Sequence, residues 1–160
     1  MHFTNAIVLG AAVASAKQTF RVDVGKDGLK YTPANTAAQV GDDIEFHYYP
    51  MNHTVTQSSF AKPCVPLDGG FFSGFVPTQA DNAGLSTFTI TVKDMKPIWF
   101  YCSQTKPASH CQKGMVGSIN APSVGNTLEA FGALAANTTV TLAPPGGACL
   151  YCHHFRGHQH

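Results

Sequence analysis

The feature that most limits the fold of this chain is a two-residue alternation of apolar and polar side chains in several short runs. Phe20, Val22 and Val24 alternate with Thr19, Arg21 and Asp23, and Ile44, Phe46 and Tyr48 alternate with Glu45, His47 and Tyr49. Phe88, Ile90 and Val92 alternate with Thr87, Thr89 and Thr91, while Ile98, Phe100 and Cys102 form a further set. Successive side chains of a strand point to opposite faces, so this period marks half-buried strands. Turn signals separate the runs at Gly25-Lys26-Asp27-Gly28, Gly41-Asp42, Asp81-Asn82-Ala83-Gly84 and Asp94 to Pro97. Short strands with no amphipathic helix between them predict an all-β chain folded as an antiparallel β-sandwich.

The length, 160 residues, is room for one ordinary domain. It is too short for a two-halved Rossmann enzyme, a multicopper oxidase or a membrane transporter. Ten Lys+Arg against nine Asp+Glu give a net charge of +1, no field for a nucleic-acid partner. Charged residues are 12% and hydrophobic residues 44%, a balance that favours a packed core over disorder. After Ile119 the alternation fades. Residues 122–160 predict one short helix, Thr127 to Ala136, followed by Pro-, Gly- and His-rich sequence. The expected division is therefore a domain over 17–121 and a poorly structured tail over 122–160.

Residues 1–16 read MHFTNAIVLGAAVASA, a short apolar run ending in Ala14-Ser15-Ala16. A small-x-small ending of this kind predicts a cleaved export signal. The run is about half of the ~20 residues a membrane span needs. No second apolar stretch follows, and the polar ending HHFRGHQH predicts no hydrophobic lipid-anchor tail. The expectation is a secreted protein, extracellular or in the cell wall, without a membrane span. An oxidising compartment favours disulfides, and the five cysteines, Cys64, Cys102, Cys111, Cys149 and Cys152, leave one thiol over.

The densest chemistry lies between Phe100 and Met115. Cys102, His110, Cys111 and Met115 fall in one loop between two strands, and His53 follows the second alternating run. One thiolate, two imidazoles and a weak axial thioether form the donor set of a blue copper site. Sulfur donors stabilise Cu(I) and imidazole suits both oxidation states, so a geometry between their preferences keeps reorganisation small.

These residues give the chain its resemblance to a cupredoxin, and more narrowly to the phytocyanin-like domains of fungal secreted proteins. The matching pieces are Gly41-Asp42 leading into Ile44 and Phe46, His53-Thr54-Val55, Cys64, Phe100-Tyr101-Cys102, and His110-Cys111-x3-Met115. The resemblance spans about residues 17–121. It implies a Greek-key sandwich, one type 1 copper ion held by His53, Cys102, His110 and Met115, and a disulfide between Cys64 and Cys111. There are two departures from the family pattern. Seven residues separate Cys102 from His110, where plant phytocyanins have four, and Thr54 follows the first histidine where many cupredoxins have Asn. If Cys64 bonds Cys111 and Cys149 bonds Cys152, the thiol left over is Cys102.

Other readings compete for the same residues. Cys149-Leu150-Tyr151-Cys152-His153 matches a haem-attachment pattern, but only seven residues follow His153. A small disulfide loop, or a metal-catching tail with His153, His154, His158 and His160, suits that segment better. A closed zinc site from Cys102, His110 and Cys111 leaves Met115 unexplained. A Cys–His protease has no separate motif, and a copper monooxygenase would need histidine at the mature start, where Lys17 stands. His47 is expected to face solvent. Of the sequons at Asn52 and Asn137, only Asn137 is expected to carry glycan, since Asn52 abuts His53.

The function expected is one-electron transfer without substrate turnover, by a monomer meeting a redox partner protein. Electrons would pass through an exposed edge of His110, with Phe71, Phe72 and Phe75 lining the docking face. The alternatives are a metal-independent cell-wall interaction module and a copper-sequestering protein.

Overall fold

The computed structural model describes residues 16–145. The expected export signal and the Cys149–Cys152 pair, with the histidines after it, lie outside the described residues. The strands are β1 (Thr19–Val24), β2 (Tyr31–Thr32), β3 (Asn35–Thr36), β4 (Asp43–Tyr48), β5 (Met51–His53), β6 (Thr56–Ser58), β7 (Val76–Thr78), β8 (Thr87–Thr91), β9 (Ile98–Tyr101) and β10 (Val116–Ile119). One α-helix, α1 (Leu128–Asn137), follows them.

The alternation read from the sequence sets the layers. Along β4 every second residue is buried, so Ile44, Phe46 and Tyr48 face inward. A sheet ordered β2-β1-β4-β8 packs against a sheet ordered β3-β10-β9-β6, and β5 pairs with β7 as a short ribbon. Aromatic rings join the layers: Phe100 of β9 meets Phe46 edge-on at 5.3 Å and Tyr31 at 4.9 Å between centroids. Such edge-to-face pairs add to the apolar burial that holds the sandwich.

The expected sandwich forms, but two strand pairs within it are parallel. β1 runs parallel to β4, from Thr19 opposite Asp43 to Val24 opposite Tyr48, and β3 runs parallel to β10. After β1 and β2 the chain crosses to the other sheet for β3 and then returns for β4. That crossover brings β4 back in the direction of β1. Hydrophobic period fixes which face of a strand is buried and carries no information on partner direction.

Both faces of β9 are buried. Phe100 points into the sandwich, and Trp99 and Tyr101 point outward yet are only 6% and 0% exposed. The covering element is α1, the helix expected over Thr127 to Ala136. Thr127 caps it by accepting from the Ala130 N–H at 3.2 Å. Phe131 and Ala135, one turn apart, form its buried stripe. Phe131 lies 4.9 Å from Trp99 and 6.0 Å from Phe60 between ring centroids. Beyond the helix, Leu142 N–H donates to Cys64 O at 2.9 Å and Leu142 O accepts from the Tyr101 hydroxyl at 2.6 Å. Packing against the sandwich thus continues past residue 121, as far as residue 142.

His47, expected in solvent, is largely covered. Its Nδ1 lies 2.9 Å from Gly84 O and its Nε2 2.5 Å from a Glu45 oxygen. The turn leading into β8 folds over it, a long-range contact that alternation does not encode. Among the described residues no helix is long and apolar enough to cross a membrane.

Candidate metal centre

Three chain segments meet at one end of the sandwich. His53 ends β5, Cys102 follows β9, and His110 sits in the loop leading to β10. The ligand atoms of these three side chains all lie within 4.8 Å of one another. Cys102 Sγ is 3.4 Å from His110 Nδ1 and 3.9 Å from His53 Nδ1. The two imidazole rings are tilted at 46° with centroids 5.1 Å apart. His53, Cys102 and His110 are all buried, at 1% exposure or less.

The tautomer of His53 follows from its far nitrogen. Nε2 lies 3.3 Å from Pro50 O, so it carries the proton and donates, leaving the Nδ1 lone pair directed at Cys102. Gly25 closes that side of the ring. It adopts φ of +81°, and a Cβ placed on it would collide with His53 Nε2. The Gly25–Gly28 stretch, which reads in sequence as a plain turn, is thus also the lid on one imidazole.

Burial sets the charge state of the group. It pushes the Cys102 thiol up, against the opposing hydrogen bonds from Gln104 and Thr54. It pulls His53 down to about 4, helped by repulsion from His110, and lowers His110 as well. At neutral pH the cluster is therefore a thiol and two neutral imidazoles. Such a set binds a soft or borderline cation by releasing the thiol proton, and the cation replaces the positive charge the buried thiolate lacks. The donors fit copper in type and in number.

Hydroxyl groups support the sulfur. Thr54 N–H points at Cys102 Sγ over 3.4 Å. Thr54 Oγ1 accepts from Ser103 N–H at 2.7 Å and lies 3.0 Å from Thr56 Oγ1, which is 2.6 Å from Ser103 Oγ. Thr54, Thr56 and Ser103 are fully or almost fully buried. Of these, sequence reading singled out Thr54 alone, as a departure from Asn. Thr56 and Ser103 carry no spacing signal, because a hydroxyl residue near a strand end is ordinary.

Met115 is wholly buried in the same apolar cluster as Cys102. Its N–H donates to His110 O at 2.9 Å and its carbonyl accepts from Cys102 N–H at 3.1 Å. Cys64 and Cys111 form a disulfide with an S–S distance of 2.03 Å, and Cys102 is the free thiol among the described residues. Of the aromatic loop, Phe71 and Phe72 are 9% and 1% exposed, whereas Phe75 is 43% exposed. Phe71 and Phe72 are core rings, because their loop turns inward against β6 through Gln57 N–H to Phe71 O and the Thr56–Phe72 bridge. His110, expected to show an edge, is 1% exposed. Asn137 is exposed at the end of α1, with its side-chain amide donating to Ala133 O at 2.8 Å. Asn52 has a buried side-chain oxygen.

No family model matches the chain. It is 40% identical over 126 residues to an extracellular serine-rich protein of Arthroderma benhamiae, covering 77% of this chain and 48% of that protein. The chain thus spans about half the length of that relative. Among solved structures, a purple cupredoxin from Nitrosopumilus maritimus superposes with a TM-score of 0.47 at 15% identity, over 62% of this chain and 96% of that one. A probable GPI-anchored cupredoxin of Arthroderma benhamiae is 37% identical over 134 residues, 84% of this chain and 67% of its own length. By that likeness, and with a thiol and two imidazoles gathered at the end of a β-sandwich, the chain belongs to the cupredoxin family.

Proposed function

We propose that the protein is an extracellular or cell-surface type 1 copper protein that carries one electron, with no substrate turnover. The observation that supports this most is the convergence of His53 Nδ1, Cys102 Sγ and His110 Nδ1 in one buried cluster. His53, Cys102, His110 and Met115 would hold the ion, through two imidazoles, a thiolate and a thioether. Copper bound there would supply a Cu(II)/Cu(I) couple. The chain's own contribution is to orient the donors and to keep water out. Pro50 O fixes the His53 tautomer, Thr54 N–H stabilises charge on the Cys102 sulfur, and burial of all three side chains excludes solvent ligands. A fixed, dry donor set resists change between oxidation states, which is what fast electron transfer needs.

Placement outside the cell rests on the export-like amino terminus and on the relatives, described as extracellular and as GPI-anchored. A monomer meeting a protein redox partner completes the reading. The test is copper loading followed by absorption spectroscopy. Full-length protein is expected to take up one Cu(II) and show an intense thiolate-to-copper band that Cys102→Ser abolishes. A colourless protein that takes up no copper would overturn the reading in favour of a metal-independent interaction module.

A further inference from the structure

The loop that carries His110 is long, with seven residues between Cys102 and His110. A longer loop has more conformations to lose when it is held in one ligating shape. Part of the restraint is internal. His110 N–H donates to Gln104 O at 2.9 Å, and Gln104 Oε1 accepts from Thr105 and Lys106 N–H groups. The rest comes from a segment far along the chain. Thr141 Oγ1 lies 2.6 Å from the hydroxyl of Ser109, the residue before His110. Gln112 Nε2 donates to Thr138 O at 2.6 Å, just past His110 on the other side. Leu142 N–H donates to Cys64 O, on the cysteine bonded to Cys111, and the Tyr101 hydroxyl, beside Cys102, donates to Leu142 O. The segment is itself anchored by α1, whose Phe131 is fully buried against Trp99.

We infer that residues 128–142 form a strap that clamps the ligand loop, with Thr141 and Gln112 as positioning residues for His110. The contacts bracket the ligand: Ser109 is held on one side, Gln112 on the other and Cys111 through its disulfide. No strap residue offers a metal donor here. Their effect on the centre is exerted through His110, by holding Nδ1 at its short approach to Cys102 Sγ. The α1–Leu142 segment thereby becomes part of the metal centre's support, although it follows the last strand of the sandwich. This inference rests on the proposed copper function for its meaning, while its structural content is testable in metal-free protein.

The experiment uses full-length Thr141→Val, Gln112→Met and the double variant, with Thr141→Ser as the conservative control. Two quantities are read: amide hydrogen exchange in metal-free protein, and the rate at which a chelator removes Cu(II) from loaded protein. Exchange at Lys113, Gly114 and Met115, whose amides bond within the loop, is expected to accelerate while β4 and β9 amides stay protected. Copper release is expected to speed up by about tenfold in the double variant, as for other losses behind a metal ligand, and Thr141→Ser is expected to restore both. Unchanged loop exchange, or acceleration spread evenly over the whole sandwich, would overturn the strap. If the unmodified protein takes up no copper while the loop amides still respond, the copper reading fails and the strap stands.

Discussion

Thr54 N–H lies 3.4 Å from Cys102 Sγ, and Thr54 Oγ1 accepts from the N–H of Ser103, the residue after that cysteine. One residue therefore holds both the sulfur and the backbone that follows it. The Thr54 carbonyl is held in turn by the buried Tyr31 hydroxyl at 2.7 Å. The first-histidine turn and the start of the ligand loop are thus locked to each other from within the core.

Replacing Thr54 by Val keeps the shape and the N–H to sulfur but removes the acceptor of Ser103 N–H. A buried donor left without its partner costs about 1–3 kcal/mol. Urea unfolding of metal-free Thr54→Val is expected to show a loss in that range. Thr54→Ser, which restores the oxygen, is expected to recover most of it.

Acid should weaken the metal-free protein in a defined window. His53 is held at about 4 in the folded state, against about 6.5 for an ordinary histidine, because burial and His110 disfavour its charged form. Below pH 6.5 the unfolded chain takes up protons that folded His53 refuses, so stability is full above 6.5. It falls as the pH drops toward 4, by roughly 3 kcal/mol from His53, with His110 adding in the same direction. Asp23 and Asp43 are held low by their basic partners, Asp23 by Arg21 and Lys26 and Asp43 by Lys17, despite the opposing effect of burial. Their losses come in the ordinary carboxylate range and below it, under most of the His53 window. Denaturant midpoints between pH 7.5 and 4.5 check this, and His53→Gln is expected to flatten the slope.

Gly25 should tolerate no side chain. Its φ of +81° and its contact with His53 Nε2 mean that Gly25→Ala strains the backbone and displaces the ring together. A loss of about 1–3 kcal/mol is expected, with weaker copper uptake. Gly28→Ala supplies the control: φ there is +93°, but nothing lies within 4 Å of the added carbon. It is expected to lose stability without the loss of copper.

Phe131→Ala tests whether α1 belongs to the folded unit. Phe131 is fully buried against Trp99, the sole tryptophan. Truncating it is expected to cost about 3–5 kcal/mol and to change the Trp99 fluorescence of the native protein. An unaltered spectrum and unfolding midpoint would mean that the helix contributes nothing to the core.

The strands, and the residues that gather at the candidate centre, were legible in the sequence because each signal is local. Ile44, Phe46 and Tyr48 declare a face by period, and Cys102, His110 and Met115 stand in one loop between two strands. What resisted reading depends on distant partners. Trp99 and Tyr101 look like the solvent side of β9 until Phe131 packs on the first and Leu142 bonds the second, some thirty to forty residues later. The parallel pairing of β1 with β4 depends on a crossover, and the lid made by Gly25 depends on where His53 lands. Thr141 reads as one more polar residue after a helix, and its value lies in a single contact with Ser109.

Copper K-edge X-ray absorption on the loaded, full-length protein tests the central claim most directly. The account predicts one short copper–sulfur path and two copper–imidazole paths, with the short sulfur path lost in Cys102→Ser. A spectrum containing only nitrogen and oxygen neighbours, identical in the Cys102→Ser variant, would contradict it.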